Sequence, residues 1–402
     1  MHHVFTNIKR VACFAIITAF IVLLNCSFND CKNIAYAQTE TDIESEYNKA
    51  IEDSLDNIDS SELDVYLNDD LFNNCFDVIT FKDFVVLILN GELFSDYNSI
   101  VSVIVNSFKK YISSSLKIII ILLSIILLYK LFESFCADKY VDIKKVVRMV
   151  FTLIIVLILV SLLKDLSVEV RDVVLNIFKF CEILFPILLS LVLVSGASVS
   201  YASYTSLSVL VLETCSYVFT YLLIPLALLI MVFSLASFVF SKDTLSNIVD
   251  LLKTIFKYLV IIMVGVFGLF SSVSVISSGM KDGMSLKLTK YAIKNYVPVL
   301  GGYISDGFDI VKSSSVIIKN AFGLCGILIL FFNILSPLIM YVCLIVVFKL
   351  LSIIVSFLDE NSFVNIFSGV SKSVSYFVTV LCGLFLILLV FLYMIIISVS
   401  VI

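Results

Sequence analysis

Val146-Val-Arg-Met-Val-Phe-Thr-Leu-Ile-Ile-Val-Leu-Ile-Leu-Val-Ser-Leu-Leu163 carries one charged side chain, Arg148, in eighteen residues. Wound as an α-helix at about 1.5 Å per residue it is about 27 Å long, close to the roughly 30 Å of hydrocarbon in a bilayer. The rest of the chain has the same character. Of 402 residues, 60% are apolar and 15% charged, and the mean hydropathy is +1.11. Soluble domains carry about 25% charged residues. An ordinary soluble enzyme is excluded, and with 13 Gly and 4 Pro so is a collagen-like or disordered chain. The expected fold class is all-α, a polytopic membrane protein.

Outward from this run, six more stretches qualify as spans, giving about seven: Leu116–Phe132, Val146–Leu163, Ile183–Val199, Tyr217–Phe240, Tyr258–Ile276, Leu324–Val347 and Tyr376–Ser398. Lys130 and Lys164 at the edges of the short ones can snorkel. The count carries a margin of one. Pro225 and Pro337 fall inside spans, where a missing backbone N–H predicts kinks.

The start of the chain has a basic Lys9-Arg10, an apolar run Val11–Leu24 and a small-residue Ala35-Tyr36-Ala37. This pattern predicts a signal peptide, 1–37, cleaved after Ala37; an uncleaved anchor gives the same orientation. Residues 38–112 then form an acidic, helical, extracytoplasmic segment with 16 acidic and 4 basic residues, and 113–402 the transmembrane domain. Such acidity speaks against nucleic acid as a partner. Glu44, Asn48, Ile51, Leu55 and Ile58 give the segment a weak helical stripe. Seventy-five residues is short for an independent core, so it should rest on the membrane part or on a partner.

With that segment outside, the basic stretches Glu133–Val146 and Ser278–Lys319 fall on the cytoplasmic side, as positive charge should. Lys164–Glu182 and Lys349–Lys372 become near-neutral outer loops. Pro225 and Pro337 are 112 residues apart, as are Phe219 and Phe331. Gly268-Leu269-Phe270 and Gly383-Leu384-Phe385 repeat at an offset of 115. These matches predict a parallel internal repeat, with units 183–276 and 297–400. Within the second unit 297–313, interrupted by Asp306 and Asp309, reads as re-entrant or surface-lying.

The ten Cys form no CxxC pair and mostly read as small buried hydrophobes. His2 and His3 are the only histidines, which removes His-based triads, zinc sites and proton relays from the mature chain. No catalytic residue, cofactor or metal is assigned. Lys287, Lys290 and Lys294 share a helix face. They read as a plain basic loop, as an interfacial helix against anionic lipid, or as a docking surface for a cytoplasmic partner. Gly279 and Gly283 suit a tight turn. Asp306 and Asp309 are ordinary surface charges or line a polar path, and Glu213 is an interfacial cap or a conduit residue. Gly323, Gly326 and Asn333 favour close helix packing or an interhelical hydrogen bond.

The most specific residues are Ser278-Gly279-Met280-Lys281-Asp282-Gly283, Lys290, Val297-Pro298-Val299-Leu300-Gly301, Asp306 and Lys319-Asn320-Ala321-Phe322-Gly323. In these the chain resembles the stage III sporulation protein AE family of spore-forming Firmicutes. Where that family typically has Ala-Asp-Gly, this chain has Lys281-Asp282-Gly283. The resemblance implies a non-enzymatic membrane core subunit of a channel or secretion-like complex. That complex would sit in the mother-cell-derived outer forespore membrane and be required for forespore development. Its implied partners are other stage III sporulation membrane and ring proteins, a cytoplasmic secretion-type ATPase, and membrane lipid. The structural or partner-docking candidates are Gly279, Asp282, Gly283, Lys287, Lys290, Lys294, Pro298, Gly301, Asp306, Lys319, Asn320 and Gly323. The competing reading is a stand-alone transporter of small solutes, which the repeat favours and the shortage of buried charge disfavours.

Overall fold

The computed structural model describes residues 60–67, 72, 75–76, 80–89, 97–135, 141–240, 243–296, 301–358 and 360–400. In part of these, including 270–280, 292–296 and 301–310, it describes the backbone alone. The signal segment and the stripe at 44–58 lie outside the described residues. A 3₁₀ turn, Ser61–Leu67, precedes α1 (Phe81–Leu89), α2 (Tyr97–Phe135), α3 (Val141–Val194) and α4 (Ser198–Tyr217). A π-helical turn, Val218–Leu223, joins α4 to α5 (Ile224–Phe240). Then follow α6 (Asp243–Tyr296), α7 (Gly301–Ser356) and α8 (Asn361–Ser400).

Among the described residues six helical stretches are long and apolar enough to cross a membrane. The all-α polytopic class holds, and the count is six because two expected spans, Val146–Leu163 and Ile183–Val199, share one helix. The polar stretch between them is not an outer loop. Leu166, Val170, Val174, Ile177 and Cys181 are buried at helical spacing, while Lys164, Asp165, Arg171 and Asp172 face outward. The helix stops at Val194 rather than Val199. Gly196 takes φ 86°, its N–H donating to Leu193 O (2.9 Å) and Ala197 N–H to Val192 O (3.3 Å). That pair of bonds is a Schellman cap, and the positive φ requires glycine.

Losing one span inverts the parity of everything after it. Glu360, in the turn before α8, reaches Lys130 on α2. Thus the end of α2 and the start of α8 share one end of the bundle, the Glu360 end, and Lys349–Lys372 is no loop on the opposite face. The turn at Gly196 and the 296–301 connection lie at the other, the Gly196 end. The two basic stretches expected on one side are therefore at opposite ends. The residues from 301 to 313 form the first turns of α7, continuous with its apolar part. The α5–α6 and α7–α8 hairpins run in the same sense, as a parallel repeat requires.

A 54-residue helix is about 81 Å long, far more than the roughly 30 Å hydrocarbon layer. α8 is the most deeply buried of the spanning helices, and α7 packs along it. Glycines allow that closeness. A Cβ on Gly323 would sit 2.5 Å from Ile396 Cγ1 of α8, and one on Gly326 would overlap Leu184 of α3. The π turn answers the expected kink at Pro225: Ile224 N–H bonds Phe219 O, five residues back, just before the proline that has no N–H to give. Pro337 is buried inside an unbroken α7.

Residues 60–89 do rest on the bundle. Phe72 and Phe76 meet Phe332, Phe81 meets Phe322 and Tyr66 meets Phe180. Asn333 Nδ2 donates to Tyr66 O at 3.4 Å, and Phe81 N–H to Asp64 Oδ1 at 2.7 Å. Burial, and then the Glu182 and Glu62 carboxylates, hold the Tyr66 phenol above its ordinary range.

Candidate functional site

The turn that ends α3 begins α4 at Ala197, whose side chain offers no acceptor to the orphan amides of the new helix. The acceptor comes from 83 residues away. Asp282 on α6, fully buried, accepts from Val199 N–H through Oδ1 at 2.9 Å and from Ser200 N–H through Oδ2 at 2.8 Å. A carboxylate against the positive end of a helix is favoured by both the hydrogen bonds and the dipole. Gly279 and Gly283 flank it inside α6 and form no turn.

Lys319 does the converse at the end of α8. It is fully buried, and its Nζ donates to Ile396 O at 2.7 Å, in the last turns of that helix. A cation belongs at the negative end of a helix. Gly323, one turn further along α7, leaves room for the Ile396 side chain. Ile396 is thus held by its carbonyl and by its side chain together. Asn320 is also buried, with Oδ1 unpartnered.

The motif residues are therefore brought to one end of the bundle, but Asp282 and Lys319 act on different helices, α4 and α8. Lys287 is exposed on α6. Lys290 and Lys294 lie further along α6, Gly301 opens α7 and Asp306 follows in it; their side chains lie outside the described set, as does Pro298 entirely. Glu213 is exposed on α4.

Sequence reasoning missed the charge cluster at the Glu360 end. Lys130 Nζ lies 2.7 Å from Glu360 Oε1 and 3.1 Å from Glu133 Oε2. Arg148 Nη2 lies 3.6 Å from Glu133 and 3.8 Å from Glu360, while its Nε donates to Tyr129 Oη at 3.1 Å. Lys130 does not snorkel; it ties α2 to the α7–α8 turn. The available signal was Asp359-Glu360 directly before the apolar run of α8, two acids with nothing nearby in sequence to pair with. Among the described residues no three His, Cys, Asp or Glu side chains gather as metal ligands.

The profile of the family described as Stage III sporulation protein AE matches residues 79–401. The chain belongs to the stage III sporulation protein AE family. The Stage III sporulation protein AE of Bacillus subtilis (strain 168) is 28% identical over 198 residues, 49% of this chain and 50% of that protein. The chain thus spans about half the length of that relative. No solved structure matches it. The AE-family match takes in α2 to α8 and with them both helix-end contacts. As a member of this sporulation family with six helical stretches, among the described residues, long and apolar enough to cross a membrane, the chain is a multi-pass membrane protein.

Proposed function

We propose that this chain is a non-enzymatic membrane core subunit of a channel or secretion-like complex linking mother cell and forespore. The observation that carries this is the family match over 79–401. The physical design agrees with it. Buried charge is spent on joining helices: Asp282 on α4, Lys319 on α8, Glu360 on α2. The centre of one copy is α8, packed with Leu and Phe. A conduit built from this protein therefore runs between subunits rather than through one.

With the segment before α2 outside, as the signal-like start suggests, the Glu360 end, where α2 finishes, takes the mother-cell cytoplasm; basic residues at both ends, Lys144 and Lys145 at this one and Lys281, Lys287, Lys290 and Lys294 at the other, do not decide between them. The Gly196 end and residues 38–96 then face the space between the two membranes, from the outer forespore membrane. A secretion-type ATPase would meet the Glu360 end, and ring proteins the other. The test is purification of the tagged protein from sporulating cells, followed by imaging of what comes with it. Recovery with other stage III proteins in a defined assembly is expected; recovery as a lone monomer overturns the reading.

A further inference from the structure

Two contacts mark the base of a projecting hairpin. Asp282 holds α6 at the first turn of α4, and Lys319 holds α7 near the end of α8. Beyond them run residues 283–296 of α6 and 301–318 of α7. At about 1.5 Å per residue the arms extend about 20–27 Å past the Gly196 turn. The α6 arm keeps an exposed apolar stripe, Met284, Leu288 and Tyr291, 62–69% exposed, at i, i+4 and i+7. Lys281 and Lys287 beside it are exposed too, and Lys290 and Lys294 add charge to the arm, so that the hairpin stays net basic with Asp282, Asp306 and Asp309 counted.

We propose that the acidic stretch of this same chain, residues 40–59, docks on that face. It carries eight carboxylates and one lysine, and its stripe Ile51, Leu55, Ile58 has the same i, i+4, i+7 spacing as Met284, Leu288, Tyr291. It enters from the correct side. Tyr66 lies against Phe180 and Asn333, fourteen residues below Val194 and Lys319 on their helices, so the rise to the clamp is about 21 Å. Back from Tyr66, five steps of the 3₁₀ turn at about 2 Å each and six extended ones to Leu55 at about 3.3 Å each reach about 30 Å, enough to bring Leu55 and Ile51 to the arm. Tethering gives a local concentration on the order of millimolar, an advantage over a free acidic partner or a second copy. A partner that binds the hairpin must first displace this segment. The proposal does not rest on the channel reading, and it holds whether or not the chain is cut after Ala37.

The test places a photo-crosslinking residue at Leu288 in the full chain, in nanodiscs of phosphatidylcholine, and maps the products by mass spectrometry. Links within one chain to residues 40–59 are expected. They should fall at least fivefold with Lys281→Glu and Lys287→Glu together, and likewise in 1 M NaCl, where the Debye length is about 3 Å. Glu44→Lys with Glu46→Lys should restore them. Lys281 and Lys287 are exposed, so thermal melting of their charge-reversed variant should match the parent. Links between two copies, links to lipid alone, no links, or links indifferent to charge reversal each overturn the proposal.

Discussion

Replacing Asp282 with Ala removes the acceptor for two amides at the start of α4. Both bonds, 2.9 and 2.8 Å, go to an ionised oxygen, and Ala197 has nothing to substitute. A hydrogen bond to a charged group contributes about 1.5 kcal/mol or more net. Two give about 3 kcal/mol, above the roughly 0.5–2 kcal/mol of a single-residue cap because two donors are served. Opening of the first turn of α4 should then become about 100-fold easier, at about 1.4 kcal/mol per decade. Hydrogen–deuterium exchange of the peptides covering 198–204, in detergent or nanodiscs, reads this directly. Asp282→Asn keeps one carbonyl oxygen but turns an N–H towards a donor, so it should fall between parent and Ala. The charge–amide contact is refuted if exchange at Val199 and Ser200 changes less than twofold in Asp282→Ala while helix content by circular dichroism is unchanged.

The glycines of α6 and α7 should separate by what their Cβ would meet. Gly323→Ala, pressed on Cγ1 and Cδ1 of Ile396, whose carbonyl Lys319 also holds, should cost about 1–3 kcal/mol, and Gly326→Ala less, since it meets the tip of Leu184. Gly265→Ala, with nothing within 4 Å, should gain up to about 1 kcal/mol of helix propensity; thermal unfolding followed by a thiol-reactive dye on the buried cysteines ranks the three. Lys319→Met, which fills the space without the charge, should melt within a few degrees of the parent, whereas Lys319→Ala should lose about 3 kcal/mol by the same assay. At the opposite end Glu360→Gln, whose side chain is 5% exposed and touches Lys130, Arg148 and Tyr129, should lower the melting temperature more than Glu133→Gln at 23%. The reverse order would show that Glu133 is the hub of the cluster.

Hydropathy alone made the helices legible, because a run such as Val146–Leu163 has no other stable place. It could not show where helices join. In 164–182 the charged residues that suggested a loop sit on the outer face of a helix whose inner face still reads Leu166, Val170, Val174, Ile177, Cys181. A window that averages both faces loses that stripe, and with it the parity of four later turns. Ser195-Gly196 was the local signal for the true end, a glycine after an apolar run, but it lay inside a stretch apolar enough to pass as membrane. Asp282 and Lys319 were legible as residues of interest through their motif. Their roles were not, since each acts on a helix whose terminus lies 77 residues or more away in sequence.

The two ends of the bundle use charge in different ways, and the difference follows from what each must hold. At the Glu360 end, side chains of both signs from α2, α3 and the α7–α8 turn neutralise one another, partly open to solvent. At the Gly196 end, single buried charges meet helix termini, and the opposite sign is supplied by backbone. A backbone terminus presents its partial charge at fixed geometry and away from water, so salt screens these contacts less than it does an exposed side-chain pair. Each also fixes one arm of the hairpin, at Asp282 and at Lys319, without tying the arms to each other. The projecting part can therefore bind or release its occupant while its base stays in register with the membrane helices.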